Sequence, residues 1–181
     1  MANIDAIQAT ENWVKRVVIA LNFCPFAKRE AERKSIRYQT CQHDNTQASL
    51  QAFMEEVFLL DQDPSIETSL LIFTGFLADF EDFLDFVDLS STLLGQSGYD
   101  GIYQVATFHP DYCFADQAPE DAANYTNRSP YPTLHLLREA SLERVLKTYS
   151  APEAIPPRNI AYSTQMGAHA LQALLHSCRS D

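Results

Sequence analysis

Ser69-Leu70-Leu71-Ile72-Phe73 is an unbroken apolar run set between Asp63-Pro64 and Gly75, and its reading decides the fold. Apolar residues at both parities describe a strand buried on both faces, as in the middle of a sheet with helices on each side. Downstream, Asp79 is a capping residue, and Phe80, Phe83, Leu84 and Val87 recur at helical spacing. Gly95 and Gly98 end that helix, and residues 102–108 form another strand running into His109-Pro110. Upstream, Ile36, Tyr38 and Thr40 alternate with Arg37, Gln39 and Cys41, the period-two pattern of a strand with one less buried face. Asp44, Asn45 and Thr46 offer caps for a helix whose Leu50, Phe53, Met54 and Val57 lie on one stripe. Strands alternating with amphipathic helices predict an α/β fold: right-handed crossovers and a mainly parallel sheet of at least three strands.

The flanks extend this plan. In residues 4–21, Ile7, Trp13, Val14, Val17, Val18 and Leu21 fall opposite Asn12, Lys15 and Arg16, a packed surface helix that stops at Asn22-Phe23-Cys24-Pro25. After Phe108 there is a long stretch without periodicity, until Thr133 caps an expected fourth helix. On that helix Leu134, Leu142, Val145 and Tyr149 make an apolar stripe with Arg138 inside it and His135 at its edge. A last helix is expected over residues 159–175, after Pro152, Pro156 and Pro157. With no internal repeat or linker, residues 1–181 read as a single α/β domain.

Composition narrows the partners. A formal net charge of −11 repels phosphate backbones, which argues against nucleic acid and anionic membranes. The basic residues Lys28, Arg29, Arg33, Lys34 and Arg37 are interrupted by Glu30 and Glu32 and read as a solvated helix face. No apolar run is long enough to span a membrane, and Asn3, Asp5 and Gln8 stand where a leader would be basic and then apolar, so a cytoplasmic protein is expected. Cys24, Cys41, Cys113 and Cys178 show no metal spacing and are expected as reduced thiols. In that compartment the glycosylation pattern at Asn124-Tyr125-Thr126 and Asn127-Arg128-Ser129 carries no meaning. The acidic residues Asp79, Glu81, Asp82, Asp85 and Asp88 are dispersed by helical spacing, so neither a metal nor a cofactor is called for. Oligomeric state is left open.

Chemistry is expected where strand ends meet loops. His43, Gly75 and His109 lie at the carboxyl ends of the strands, the usual crevice of a parallel sheet. His109 is the candidate general acid or base there, or else a strand-end cap. The loop Asn124-Tyr125-Thr126-Asn127-Arg128-Ser129-Pro130-Tyr131-Pro132 is stiffened by two prolines and dense in hydrogen-bonding groups. Arg128 is the candidate anion grip, with Asn127, Ser129, Tyr125 and Tyr131 as neutral donors, unless the loop is a structural clasp. Arg138 within an apolar stripe calls for an anionic ligand, or an internal partner among Asp111, Asp116 and Asp121. Cys24, beside Lys28 and Arg29, is either a reactive thiol or a buried inert one.

Trp13, the segment Leu21-Asn22-Phe23-Cys24-Pro25-Phe26-Ala27, the strand ending Phe108-His109-Pro110, and Asn124 through Glu139 together resemble a bacterial family of about this length, catalogued as a domain of unknown function. That resemblance implies no activity. Locally, Phe23-Cys24-Pro25-Phe26-Ala27 with Arg29 is also similar to the cysteine motif of omega-class glutathione transferases, which would make Val17 to Leu21 a strand and Cys24 the site of mixed disulfides with glutathione. Three readings follow. The leading one is a protein that binds a small anionic molecule through Asn127, Arg128, Ser129, Tyr131, His135 and Arg138, with His109 available for proton transfer. The second is a thiol-dependent redox enzyme or transferase centred on Cys24. The third is a noncatalytic module presenting Tyr125 and Tyr131 to a protein partner.

Overall fold

The computed structural model describes residues 2–147 and 149–180, with side chains from Ala6 onward, so the Ile4 side chain at the expected start of the first helix lies outside the described residues. Helix α1 (Ala2–Trp13) runs on into a π-helical segment, Val14–Ile19, and a short α2 (Ala27–Arg33) follows. Then come β1 (Ile36–Cys41), α3 (Thr46–Gln62), β2 (Thr68–Phe73), α4 (Phe80–Gln96) and β3 (Tyr103–Phe108). A 3-10 turn (Ala122–Thr126) leads to β4 (Thr133–Arg138), then α5 (Glu139–Leu146), α6 (Ile155–Met166) and α7 (Ala168–Ser177). The expected caps are in place: Asn45 accepts from the Ala48 N–H at 2.9 Å, and Asp79 accepts from the N–H groups of Glu81 and Asp82.

The sheet is mixed, which corrects the expectation of a mainly parallel one. Its strand order is β1-β2-β4-β3. β1 and β2 pair in parallel, while β4 pairs antiparallel with both β2 and β3. Residues 133–138 are therefore a strand and not the start of the expected fourth helix, whose helical part begins only at Glu139. The pattern Thr-Leu-His-Leu-Leu-Arg fits either period, and the unpaired edges of β2 and β3 decide between them. As a strand this segment satisfies two ladders at once, and as a helix it would leave both edges bare.

Alternation sorts the side chains onto two faces. Cys41, Leu71, Phe73, Tyr103, Leu134 and Leu136 point toward α3 and α4, where Phe53, Val57, Leu60, Phe83 and Phe86 complete the main core. Leu70, Ile36, Tyr38 and Phe108 point the other way, toward Trp13, Val14, Val17, Phe23 and Cys178. A buried Glu56 on α3 pins β1 and β2 from the first face: it accepts from Arg37 Nε at 2.9 Å and from Ser69 Oγ at 2.6 Å.

This topology closes the crevice in which a parallel sheet would place its ligand. Between β2 and β3 the space is taken by β4 and its approach, where the Phe73 N–H donates to the Pro132 carbonyl at 2.9 Å. Between β1 and β2, Gly75 packs so tightly on the preceding loop that a Cβ there would lie 2.4 Å from the His43 carbonyl oxygen and 2.5 Å from that of Gln42. Both obstacles are backbone and cannot rotate away. Gly75→Ala is expected to cost about 3 kcal/mol of stability through this overlap, measured by urea denaturation; a loss below about 1 kcal/mol would show that the loop yields.

Candidate functional site

The candidate site is a cavity of about 260 Å³ on the second face of the sheet, away from the strand ends. Its floor is Ile36, Thr68, Leu70, Ala106, Phe108, His135 and Leu137, contributed by all four strands. Its roof is Trp13, Val14 and Val18 from the first helix, Cys24 and Phe26 from the following turn, and Leu142 and Val145 from α5. Glu30, Glu67, Arg138 and Ser141 complete the lining. The π-helical turn at Val14–Ile19 forms part of this roof, and such widened turns recur at functional sites.

Four polar groups face apolar surroundings here. Trp13 is 2% exposed, and its indole N–H has no acceptor among the described residues. Thr68 Oγ1 donates to the Leu136 carbonyl, so its 2.6 Å contact with His135 Nε2 is one in which the imidazole donates. That makes Nδ1 the acceptor of the ring, and it has no hydrogen bond among the described residues. Burial pushes the His135 pKa down to about 4, which keeps the ring neutral. Burial also pushes the Cys24 thiol up, by more than the N–H groups of Phe26 and Ala27 pull it down. Thiol and imidazole are thus both uncharged at neutral pH.

The remaining candidates are placed elsewhere. His109 is fully buried: Nε2 donates to the Leu77 carbonyl at 3.1 Å, Nδ1 accepts from the Asp111 N–H at 3.0 Å, and the ring lies against Phe80 and Phe83. Its hydrogen-bonding capacity is spent within the protein, and it lines neither cavity. Leu77, whose carbonyl it holds, sits in the left-handed region at φ 67°. Burial lowers the His109 pKa, against the hydrogen bond to Leu77, which raises it.

Arg138 lies on a strand, and its partners within the protein are carbonyls and the Tyr103 hydroxyl, not the internal carboxylate expected as the alternative to an anionic ligand. Nε donates to Ile66, and Nη2 to Leu60, Asp63 and Ile66, which caps the carboxyl end of α3. Arg128 acts as a clasp: Nε donates to the Tyr112 carbonyl at 3.1 Å and Nη2 to that of Pro119 at 2.7 Å, with the guanidinium 4.6 Å above the Tyr125 ring. Asn127 donates to the Thr107 carbonyl, Ser129 Oγ donates to the Tyr131 carbonyl, and the Tyr131 ring underlies Arg179. Of the eight candidates, Cys24, His135 and Arg138 line the first cavity, and Arg128 and Ser129 line a second, smaller cleft. Among the described residues no three His, Cys, Asp or Glu side chains are grouped so as to hold a metal ion, and no helix is long and apolar enough to cross a membrane.

The sequence model of a family described as "Protein of unknown function (DUF1415)" matches residues 5–173. The chain belongs to the DUF1415 family. No curated protein and no solved structure matches it. In this member of DUF1415, the helical Val14–Ile19 replaces the strand that a glutathione-transferase motif would need before Cys24. Cys178 is only 1% exposed and lies in the second core. Trp13, Thr68 and Ala106 went unnoticed as site residues because each matches an ordinary core or strand position, and no local pattern marks a cavity.

Two outcomes follow from this geometry. Arg138→Met removes charge-assisted bonds to several carbonyls and should cost about 2–4 kcal/mol in urea melts; a neutral result would mean water replaces the guanidinium. For His135, the folded pKa near 4 lies below the ordinary value of 6.5. The unfolded chain therefore binds more protons between these values, and the stability from burying a neutral ring is complete above pH 6.5 and is lost as pH falls toward 4. His135→Gln should flatten the pH dependence of stability in that window, with a residual slope from His109, whose shift has the same sign.

Proposed function

We propose that this protein binds a small, predominantly apolar and uncharged molecule in the cavity between the first helix and the sheet. The observation that carries this reading is the cavity itself: about 260 Å³, walled mostly by side chains of Trp, Phe, Leu, Ile, Val and Ala. That volume is just below the roughly 300 Å³ at which ligand pockets begin, which calls for a compact ligand. His135 Nδ1, which has no hydrogen bond among the described residues, favours a ligand with one hydrogen-bond donor, such as a hydroxyl or an amide.

Charge supports a neutral ligand over the anion anticipated from the arginines. Glu30 and Glu67 lie at the cavity, and the Arg138 guanidinium is directed at carbonyls. An anion would meet two carboxylates and no free cation. The neutral thiol and imidazole lack the activation expected of a nucleophile and base, so binding is proposed here and turnover is not.

Trp13 is the one tryptophan in the chain, so its emission reports on the cavity without labelling. Titration with n-hexanol or cyclohexanol should shift Trp13 fluorescence saturably, and hexanoate should bind more weakly because of the carboxylates. Ala106→Leu on the floor and Leu142→Phe on the roof each fill the space and should abolish the response. A flat titration with both alcohols, or an unchanged response in both folded variants, would overturn the assignment.

A further inference from the structure

A second cleft of about 170 Å³ lies between α7 and the loop that follows β3, and it shares no lining residue with the apolar cavity. Arg128, Ser129, His176, Arg179 and Asp111 are among its walls. We propose that this cleft is a binding site for a small oxyanion, a carboxylate or a phosphate, gripped by Arg128 and Arg179.

Both guanidiniums are fixed before any ligand arrives. Arg128 is held by the carbonyls of Tyr112 and Pro119 and by the Tyr125 ring. Arg179 is held by the Pro130 carbonyl and lies 5.1 Å from the centre of the Tyr131 ring. Each keeps donors in reserve: Nη1 of Arg128, and Nε and Nη1 of Arg179, make no hydrogen bond among the described residues. Neither has a carboxylate within 4.0 Å among the described residues, although acidic residues outnumber basic ones 24 to 13 in this chain. Two anchored cations with no ion-pair partner among the described residues border one concavity, and each guanidinium is a planar fork suited to an oxyanion, with little side-chain entropy left to lose.

Other local charges have been dealt with. The carboxyl end of α7 would repel an anion, but Arg16 Nη1 donates to the Ser177 carbonyl at 3.0 Å and Asn12 Nδ2 to that of Cys178 at 3.3 Å, from the first helix. His176 stands on the cleft wall with the two arginines. Asp111 is the acidic member of the lining and opposes binding, which makes it a second, independent handle on the site. The two arginines connect the loop to the C-terminal helix, so an anion between them would brace α7 against the body of the protein.

The experiment is a titration of the full chain with inorganic phosphate and, separately, acetate, followed by backbone amide NMR shifts at low ionic strength. Saturable shifts should be confined to residues lining the cleft. Arg179→Gln should weaken binding about tenfold, the loss of one charge-assisted contact, while Asp111→Asn should tighten it about threefold by removing a nearby negative charge. Arg179 is exposed and its replacement leaves the Arg128 clasp intact, so folding is retained. Dispersed, non-saturating shifts, or equal affinity in the wild type and both variants, would overturn the site. Because the apolar cavity is read through Trp13 and this cleft through charge variants, either can fail without the other.

Discussion

The antiparallel insertion of β4 between β2 and β3 is the constraint on which the rest of the structure depends. Its backbone hydrogen-bonds on both sides, through Leu70↔His135 to one neighbour and Ala106↔His135 to the other. β1 and β2 pair directly, and β3, which runs parallel to them, joins the sheet only through this fourth strand. The insertion also sends Leu134 and Leu136 into the main core and His135 and Leu137 onto the opposite face. A register slip by one residue would bury the imidazole among phenylalanines and turn Leu134 and Leu136 out of the main core onto the cavity face.

The same insertion relocates the chemistry. In a purely parallel sheet the strand ends open a crevice, and His109 would stand in it. Here the loop that must return to start β4 covers those ends, and His109 becomes a pin holding Leu77 and Asp111 in place. Arg128 and Arg138 follow the same logic. Each arrives where a turn or a helix end presents several carbonyls close together, and a guanidinium with five donors can bond more of them than any other side chain. The empty volume is left on the face where the first helix and α5 fail to close over Ala106, a small side chain in the middle of β3.

Electrostatics divide the molecule into two kinds of concavity. One is lined by apolar groups with acidic residues beside it and holds its histidine and cysteine neutral. The other gathers two fixed cations and an imidazole in a chain that is strongly negative as a whole. Desolvation sets the character of the first, and Coulomb attraction that of the second. Of the two arginines that suggested an anion-binding protein, Arg128 borders the second concavity, and Arg138, at the edge of the larger one, is spent on carbonyls.

Much of the framework was legible in residue order alone. The β1, β2 and β3 segments, the caps at Asn45 and Asp79, and the apolar stripe through Trp13 and Val17 are local patterns, and local patterns survive folding because they satisfy their own backbone and one buried face. The sense of β4 was not legible, since Leu134, Leu136 and Leu137 suit a helix and a strand equally, and only the open edges of β2 and β3 select between them. Nor was the role of each polar side chain. Whether Arg138 finds a carboxylate, a ligand or the last carbonyls of α3 depends on residues more than seventy positions away in sequence. Sequence determined which groups the chain carries and, β4 apart, where its strands lie; only the tertiary structure decided which of those groups had already spent their hydrogen bonds and which still faced an empty space.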